Sequence, residues 1–245
     1  MKRALILYWH GLGDVIILTP CLRHLYSEGY IVDLMCRPEV RISKLLDECP
    51  YVKKFIDVPN PWQSKLGFNP QAKLNIERFQ SMRKDYDWAG ISPHRLHKKI
   101  KGINKVDMTS QELGLNIKDK DLEVFIPSTI DNSIENGYIF VHRFCEWHPS
   151  HTWDPDQWIK ENLPQLDIIY TDDSRRPKMY DNINEAFLLA RQAQHRVLAS
   201  SVFVHACDAM DCTIDAINYG RPDRKVWLLD QSRVLHIREK GKWIK

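Results

Sequence analysis

Short aliphatic runs alternate along the chain with longer stretches in which apolar residues recur at helical spacing. Runs of the first kind predict β-strands, and stretches of the second kind predict helices. In the first half the predicted strands are 4–8, 31–36, 54–58 and 88–91, and the predicted helices are 14–27, 42–47 and 72–85. Leu74, Ile76, Phe79 and Met82 are expected on or near one face of the third helix. This alternation indicates a mostly parallel sheet covered by helices.

A second series of the same kind follows a segment rich in turn-forming residues, 125–133. Its predicted strands are 138–142, 166–170, 201–205 and 225–229, and its predicted helices are 156–162, 184–194 and 213–219. A chain of 245 residues is long enough for two small domains. We therefore predict an N-terminal domain, 1–130, and a C-terminal domain, 131–245.

Composition narrows the class of protein. With 43% apolar and 27% charged residues, the chain resembles globular proteins and not disordered or fibrous ones. The first residues predict a strand and not a signal peptide, and no apolar run approaches the roughly 20 residues of a membrane span. Six cysteines without a close pair favour a reducing compartment, the cytoplasm, or a host's cytoplasm if the protein is viral. A net charge of +3 does not by itself indicate a polyanionic partner.

The turn after the first predicted strand carries the strongest chemical signal. Gly11 and Gly13 allow a ligand to approach the backbone closely, and Asp14 follows them. A dinucleotide fingerprint would need a further glycine where Ile16 stands, and Asp14 would repel a pyrophosphate. Asp14 is therefore either a helix N-cap or a carboxylate base at the ligand-binding edge of the sheet.

Several segments resemble the heptosyltransferases of glycosyltransferase family 9. The run Gly13-Asp14-Val15-Ile16 through Thr19-Pro20-Cys21-Leu22 resembles the opening motif of that family. Segment 86–91 is similar to the strand before its acceptor-side loop, and 138–142 with 152–158 is similar to the strand and Trp-Pro helix start of its C-terminal half. Segment 216–222 resembles the end of its nucleotide-sugar motif.

The resemblance implies an α/β protein of the GT-B fold, with two Rossmann-like β/α/β domains facing a cleft. It implies a glycosyltransferase that moves a sugar from a nucleotide-diphosphate sugar to an acceptor hydroxyl with inversion. Asp14 would be the catalytic base that takes the proton of that hydroxyl. No cofactor and no metal ion are required in such a mechanism, because cations and helix N-termini neutralise the diphosphate. Zinc ligation by Cys145, His148 and His151 is the alternative.

The implied donor site lies mainly in the C-terminal domain. The family's Asp-Ser/Thr-Gly-x-x-His turn is placed at 207–213, where Asp208 or Asp211 stands for the first residue, the glycine and histidine are absent, and a helix is expected to begin at Thr213. The family's phosphate-binding lysine is also missing, so that His151, Arg143 or Arg175 would supply the charge. The predicted donor contacts are Gly13, Arg143, His151, Asp172, Asp173, Asp208, Asp211, Cys212 and Thr213. For Asp172 and Asp173, a solvated turn is the alternative.

The implied acceptor site lies in the N-terminal domain. The segment 94–105 holds five Lys or Arg, two His and no acid, although such a run is often only a solvated face. The predicted acceptor contacts are His10, Gly11, His94, Arg95, Lys98 and Lys99. The acceptor would be a surface glycan such as the lipopolysaccharide core, or a hydroxymethylated base in viral DNA. A non-catalytic nucleotide-sugar-binding relic is the other alternative, and the oligomeric state stays open.

Overall fold

A computed structural model of the chain describes residues 1–94, 103–128, 137–143, 155–171, 182–218 and 242–244. The chain divides into two compact units, Met1–Leu122 and Glu123–Lys245. The predicted domain boundary between residues 130 and 131 lies outside the described residues. Among the helices that the structure describes, none has the length and apolar character that crossing a bilayer requires.

The N-terminal unit is a four-stranded parallel sheet in the order β3-β2-β1-β4. Two 3-10 turns, Pro61–Gln63 and Arg83–Asp85, lie on either side of its third helix. In chain order the elements are β1 (Lys2–Tyr8), α1 (Leu12–Ser27), β2 (Tyr30–Cys36), α2 (Pro38–Ile42), β3 (Val52–Asp57), α3 (Phe68–Met82), β4 (Trp88–Ile91) and α4 (Lys105–Glu112).

The central strand β1 explains why the first apolar run does not alternate. Ala4 to Tyr8 are all fully buried, as expected for a parallel strand whose two faces are both covered. Leu5 and Leu7 belong to the apolar cluster that includes Phe79 of α3. Ile76, Phe79 and Met82 pack in or against this cluster, but Leu74, which was expected on or near the same face, is 48% exposed. Leu74 does not lie on the buried face of α3. The buried residues of that helix lie at or next to positions four residues apart: Gln71, Ala72, Asn75 and Phe79.

The C-terminal unit is a second parallel sheet, in the order β6-β5-β7-β8-β9. Its core cluster joins β5, α5, β7 and β8 through Ile139, Val141, Ile159, Val197 and Ala216. In chain order the elements are β5 (Tyr138–His142), α5 (Asp156–Asn162), β6 (Asp167–Tyr170), α6 (Ile183–Gln192), β7 (His195–Ala199), α7 (Val202–Ala209), β8 (Ala216–Asn218) and β9 (Lys242–Ile244).

Three predicted elements are wrong, because the local sequence pattern differs from the structure that the neighbouring residues and strands impose. The predicted helix 42–47 is replaced by α2, which begins at Pro38 and cannot continue past Lys44, whose φ is 59°. The predicted strand 201–205 is the start of α7, because 195–199 already pairs with β5. The predicted helix 213–219 contains the strand β8. The predicted strand 225–229 lies outside the described residues.

Each sheet has one topological switch point. There the chain stops adding strands on one side of a central strand and adds the next strand on its other side. In the N-terminal unit it lies between β1 and β4, and in the C-terminal unit between β5 and β7. Open parallel sheets bind ligands at the carboxyl ends of the strands that flank such a point. These two edges are therefore where functional side chains are to be sought.

Candidate functional site

Three segments meet at the switch point of the N-terminal unit. His10 and Gly11 follow β1, His94 follows β4, and Lys105 opens α4. Asp14 lies in the first turn of α1 and faces Lys105. The structure thus brings together the predicted catalytic residue and two predicted acceptor residues that are 84 positions apart in the sequence. Lys105 ends the basic segment 94–105 of the predicted acceptor site, but neither its ion pair with Asp14 nor the helix α4 is predicted from the sequence.

Asp14 is an ion-paired carboxylate and not a helix cap. The N-cap of α1 is Gly11, whose backbone is extended, and no side chain caps this helix end. The Asp14 carboxylate instead accepts a hydrogen bond from Lys105, with Nζ 2.5 Å from Oδ1, and the two side chains are 20% and 23% exposed. Burial raises the pKa of Asp14, but Lys105 and the neighbouring imidazoles outweigh it and hold that pKa well below its usual range. The carboxylate is therefore ionised at neutral pH.

His10 is a buried, neutral imidazole with an assigned tautomer. Its Nε2 lies 2.9 Å from the carbonyl oxygen of Ser92, which can only accept, so Nε2 carries the proton. Burial lowers the pKa of His10 to about 4, against the attraction of Asp14. The ring of His10 is stacked on that of His94, with centroids 3.6 Å apart and planes 12° from parallel. His10 therefore contributes a polar ring without a net charge.

His94 is held in an unfavourable backbone conformation by several hydrogen bonds. Its φ is 52°, in the left-handed region that β-carbon sterics disfavour. Its backbone N–H donates to Glu112 Oε2 at 2.7 Å, and the Ser92 hydroxyl donates to the same oxygen at 2.8 Å. The Tyr8 hydroxyl donates to the Asp14 carbonyl and lies 2.9 Å from His94 Nε2. Backbone strain supported in this way is typical of functional sites.

His10, Asp14 and His94 are also the one group among the described residues whose ligand atoms, all within 4.8 Å of one another, could hold a metal ion. Their arrangement does not fit a ligand set. The imidazole lone pairs lie in the ring planes, so nearly parallel stacked rings do not direct them toward a common point. The Asp14 oxygen is already bound to the Lys105 ammonium. We therefore derive no chemistry from a metal at this position.

Two other predicted site residues, Gly11 and Gly13, lie at the same edge of the N-terminal sheet. Gly11 has room on its side-chain face, where an added β-carbon would meet only Arg37 Nη1, at 4.0 Å. Arg37 itself is buried and pairs with Glu39 at 2.9 Å. Gly13 occupies the second position of α1, which leaves it beside the acceptor residues and not in the donor unit. The predicted acceptor contacts Arg95, Lys98 and Lys99 lie outside the described residues.

Arg143, a predicted donor contact, follows the carboxyl end of β5 at the switch point of the C-terminal unit. Its guanidinium lies over the ring of Tyr170, 4.8 Å from the centroid. The preceding His142 is buried, and its Nδ1 is 2.8 Å from the hydroxyl of Thr171, the residue that follows β6. The predicted donor contacts His151, Asp172 and Asp173 lie outside the described residues.

A strand followed by a turn and a helix lies just before the segment 207–213 in which the donor motif is predicted. β7 ends at Ala199, and α7 begins after Ser201, whose hydroxyl accepts from the Phe203 N–H. Ser201 and the buried His205 are four residues apart, which is the spacing between the Ser/Thr and the His of the predicted motif. The segment 207–213 has no histidine at that spacing.

Four predicted donor residues lie at the opposite end of α7. Asp211, with φ of 53°, ends the helix in the left-handed conformation, and its N–H donates to the Asp208 carbonyl. The Cys212 N–H donates to the Cys207 carbonyl at 2.8 Å, and the Thr213 carbonyl accepts from Arg196. A helix C-terminus carries partial negative charge, which disfavours a diphosphate. The prediction for Asp208, Asp211, Cys212 and Thr213 therefore lacks the helix N-terminus on which it was based.

Comparison with known proteins identifies the fold. No protein-family model matches the chain, and neither does any curated protein sequence. A family 9 glycosyltransferase from Veillonella parvula is similar in structure, with a TM-score of 0.63 and 12% identity over 99% of this chain and 85% of that one. E. coli heptosyltransferase WaaC, solved with an ADP-heptose analogue, has a TM-score of 0.62 and 13% identity over 99% and 93%. E. coli ADP-heptose heptosyltransferase II has a TM-score of 0.56 and 15% identity over 100% and 90%.

These matches confirm the predicted fold class, α/β of the GT-B type, and the resemblance to family 9 at the level of the fold. At 12% to 15% identity they carry no assignment of individual residues. The chemistry has to be argued from the side chains of this chain, because one fold can serve many functions.

Proposed function

We propose that the protein is a glycosyltransferase that moves a sugar from a nucleotide-diphosphate sugar to an acceptor hydroxyl, with Asp14 as the general base. The observation that carries this proposal is the ionised Asp14 carboxylate at the carboxyl edge of the N-terminal sheet, where it is paired with Lys105 and not used as a cap. The similarity of the fold to glycosyltransferases supports the reaction class.

The proposed reaction is a direct displacement with inversion. Asp14 accepts the proton of the acceptor hydroxyl while its oxygen attacks the anomeric carbon from the face opposite the nucleotide. The bond from that carbon to the diphosphate oxygen breaks, and the nucleoside diphosphate leaves with the electron pair. The transition state resembles an oxocarbenium ion, so the negative charge develops on the leaving group, where cations and helix N-termini stabilise it.

Lys105 sets the state of the base before the acceptor arrives. An ammonium 2.5 Å from the carboxylate keeps Asp14 ionised, as a base must be, but also makes it a weak base. An acceptor hydroxyl that donates to Asp14 has to share or displace this contact, and the carboxylate then becomes more basic. Lys105 is thus proposed as a positioning residue, and Tyr8 and His94 fix the neighbouring backbone of α1.

The donor is proposed to bind to the C-terminal unit at the N-terminus of α7. The partial positive charge of that helix end and the capped Ser201 turn suit a diphosphate. His205 lies one turn into the helix, and Arg143 follows the neighbouring strand β5. The mechanism requires no metal ion or other cofactor. A cytoplasmic location is part of this proposal, because nucleotide sugars are supplied there.

The test is a screen for donor binding and turnover. The purified chain and its Asp14→Asn variant are mixed with ADP-, UDP-, GDP- and CMP-sugars, and the thermal shift and the released nucleoside diphosphate are measured with glycan or DNA acceptors. We expect one donor to stabilise both proteins, and the rate of transfer to fall about 10²- to 10⁴-fold in the variant. A parallel arm with a chelator tests the independence from metal ions.

The matched control is Asp57→Asn, which removes an exposed carboxylate that is paired with Arg41 in the same unit. It should leave both readouts unchanged. Binding of a donor without turnover on any acceptor would favour the non-catalytic relic. Absence of binding by all four classes of nucleotide sugar would refute the proposed function.

A further inference from the structure

Two large aromatic side chains are exposed beside the Asp14 site. Trp62 is 41% exposed and Phe68 is 36% exposed, and their ring centroids are 5.1 Å apart. The Trp62 ring also lies 5.5 Å from the ring of His10, which is stacked on His94. A continuous series of rings therefore runs from the surface of the N-terminal unit to the group around Asp14. We call Trp62 and Phe68 the aromatic shelf.

The shelf is held by its own hydrogen bonds. The Asn60 side-chain oxygen accepts from the backbone N–H of Trp62 at 3.1 Å, and Pro61 between them is buried. Two residues on, the Ser64 hydroxyl accepts from Leu66 N–H and donates to the side chain of the buried Gln71 on α3. A turn whose backbone is fixed in this way loses little conformational entropy when a ligand covers it.

Exposed aromatic pairs at a ligand edge suit a ring-shaped ligand with an apolar face. Aromatic side chains supply a large apolar area for burial against such a face. Two ligand classes qualify, a pyranose with a face of C–H groups and an unstacked nucleobase. The rings of Trp62 and Phe68 are inclined by 48°, so they do not form the parallel plates that sandwich a flat base.

Charge separates the two classes further. Proteins that bind single-stranded nucleic acid combine stacking rings with cations that follow the phosphates. Among the described residues near this edge, three cations are instead each paired with a carboxylate: Arg37 with Glu39, Arg41 with Asp57, and Lys105 with Asp14. Lys65, on the turn between Trp62 and Phe68, is an exposed cation outside these pairs. One such lysine does not form the series of cations that follows a phosphodiester chain, so the described surface beside the shelf favours an uncharged ring.

We propose that the aromatic shelf of Trp62 and Phe68 is the subsite that binds the acceptor ring, and that this ring is a pyranose whose hydroxyl is directed at Asp14. The inference rests on the proposed transferase function and specifies its acceptor as a carbohydrate. It assigns to Trp62 the role of a specificity-determining residue, because it touches the acceptor without touching the proton that is transferred.

The first test measures binding alone, so that it does not depend on turnover. Methyl glycosides of common pyranoses, and a short single-stranded DNA that contains 5-hydroxymethylcytosine, are titrated into the full chain while tryptophan fluorescence is recorded. We expect at least one glycoside to give a saturable change in the parent and in Asp14→Asn, with about tenfold weaker binding in Trp62→Ala and partial rescue in Trp62→Tyr. Leu66→Ala, on the same turn and 60% exposed, is the matched control.

The second test measures transfer. With the donor found in the screen, Trp62→Ala should raise the acceptor KM about tenfold, whereas Leu66→Ala should leave it at the parent value. DNA binding that depends on Trp62, or glycoside binding that is identical in Trp62→Ala and the parent, would overturn the shelf. Saturable glycoside binding on Trp62 in a protein that transfers no sugar would overturn only the transferase. The two failures are thus distinguishable.

Discussion

The ion pair between Asp14 and Lys105 makes a prediction that does not require the substrate. Its partners are 20% and 23% exposed, so it lies between surface pairs, worth up to about 1 kcal/mol, and buried pairs, whose disruption costs about 3 to 5 kcal/mol. We therefore expect a coupling free energy of about 2 kcal/mol at pH 7 from the double-mutant cycle of Asp14→Asn and Lys105→Met. Urea unfolding of the parent, the single variants and the double variant measures this energy.

The same variants predict how the stability of the protein changes with pH, and in which direction. In the parent, the pKa of Asp14 is lowered, so the pair stabilises the protein fully above the unfolded-state value, about 3.9, and this contribution is lost only as the pH falls further. In Lys105→Met the main cation is gone, and burial should raise the pKa of Asp14 above that value. The folded variant then binds a proton more tightly than the unfolded chain, so its stability relative to the parent should improve between pH 7 and pH 5.

Two further variants complete the test. Lys73→Met removes a lysine that is 78% exposed and pairs with Glu77 along α3, and it should cost less than about 0.5 kcal/mol with no change in pH dependence. Lys105→Arg keeps the charge and should keep most of the coupling. If Lys105→Met had the same pH profile of stability as the parent, Lys105 would not control the ionisation of Asp14, and our account of the base would be refuted.

Three other predictions follow from described contacts. Gly90→Ala should destabilise the N-terminal unit by about 1 to 3 kcal/mol, because the added β-carbon would lie 2.5 Å from the ring of Trp88, and a midpoint in urea equal to that of the parent would contradict this. Arg196→Met should cost about 3 kcal/mol, because the buried guanidinium donates to the carbonyls of α6 and of Thr213, and thermal unfolding would show an unchanged Tm if these bonds were unimportant. His10 should gain its proton in NMR titrations only near pH 4, so its burial costs stability as the pH falls from about 6.5 toward 4, and a midpoint above pH 6 would show that the ring is not buried.

The sequence by itself determined the fold class and the leading candidate for a functional residue, Asp14. Parallel strands that are covered on both faces must be apolar almost throughout, so β1, β2 and β5 are visible as runs without any knowledge of the fold. Asp14 could be identified as a candidate from the sequence, because it follows two glycines at the end of a predicted strand. These signals depend on residues that are neighbours in the chain.

Where two local patterns conflicted, only the tertiary structure could decide. The run Val202-Phe203-Val204 has the composition of a strand, yet it forms the first turn of α7, because β7 already fills the place beside β5. As a result, Ser201 and His205, and not the segment 207–213, lie at the start of the helix to which we propose that the donor binds. Pairing between strands depends on which segments compete for one position in a sheet, and a local window contains no information about its competitors.

The surroundings of Asp14 were decided at the tertiary level for a similar reason. Lys105 and His94 reach Asp14 only because β4 pairs with β1 and α4 follows it, so partners about 80 to 90 residues away in the chain become neighbours. The chemical identity of the candidate base was local and could be predicted from the sequence. Its ionisation, its counter-ion and the aromatic shelf next to it depend on distances in space, and only the folded chain fixes those distances.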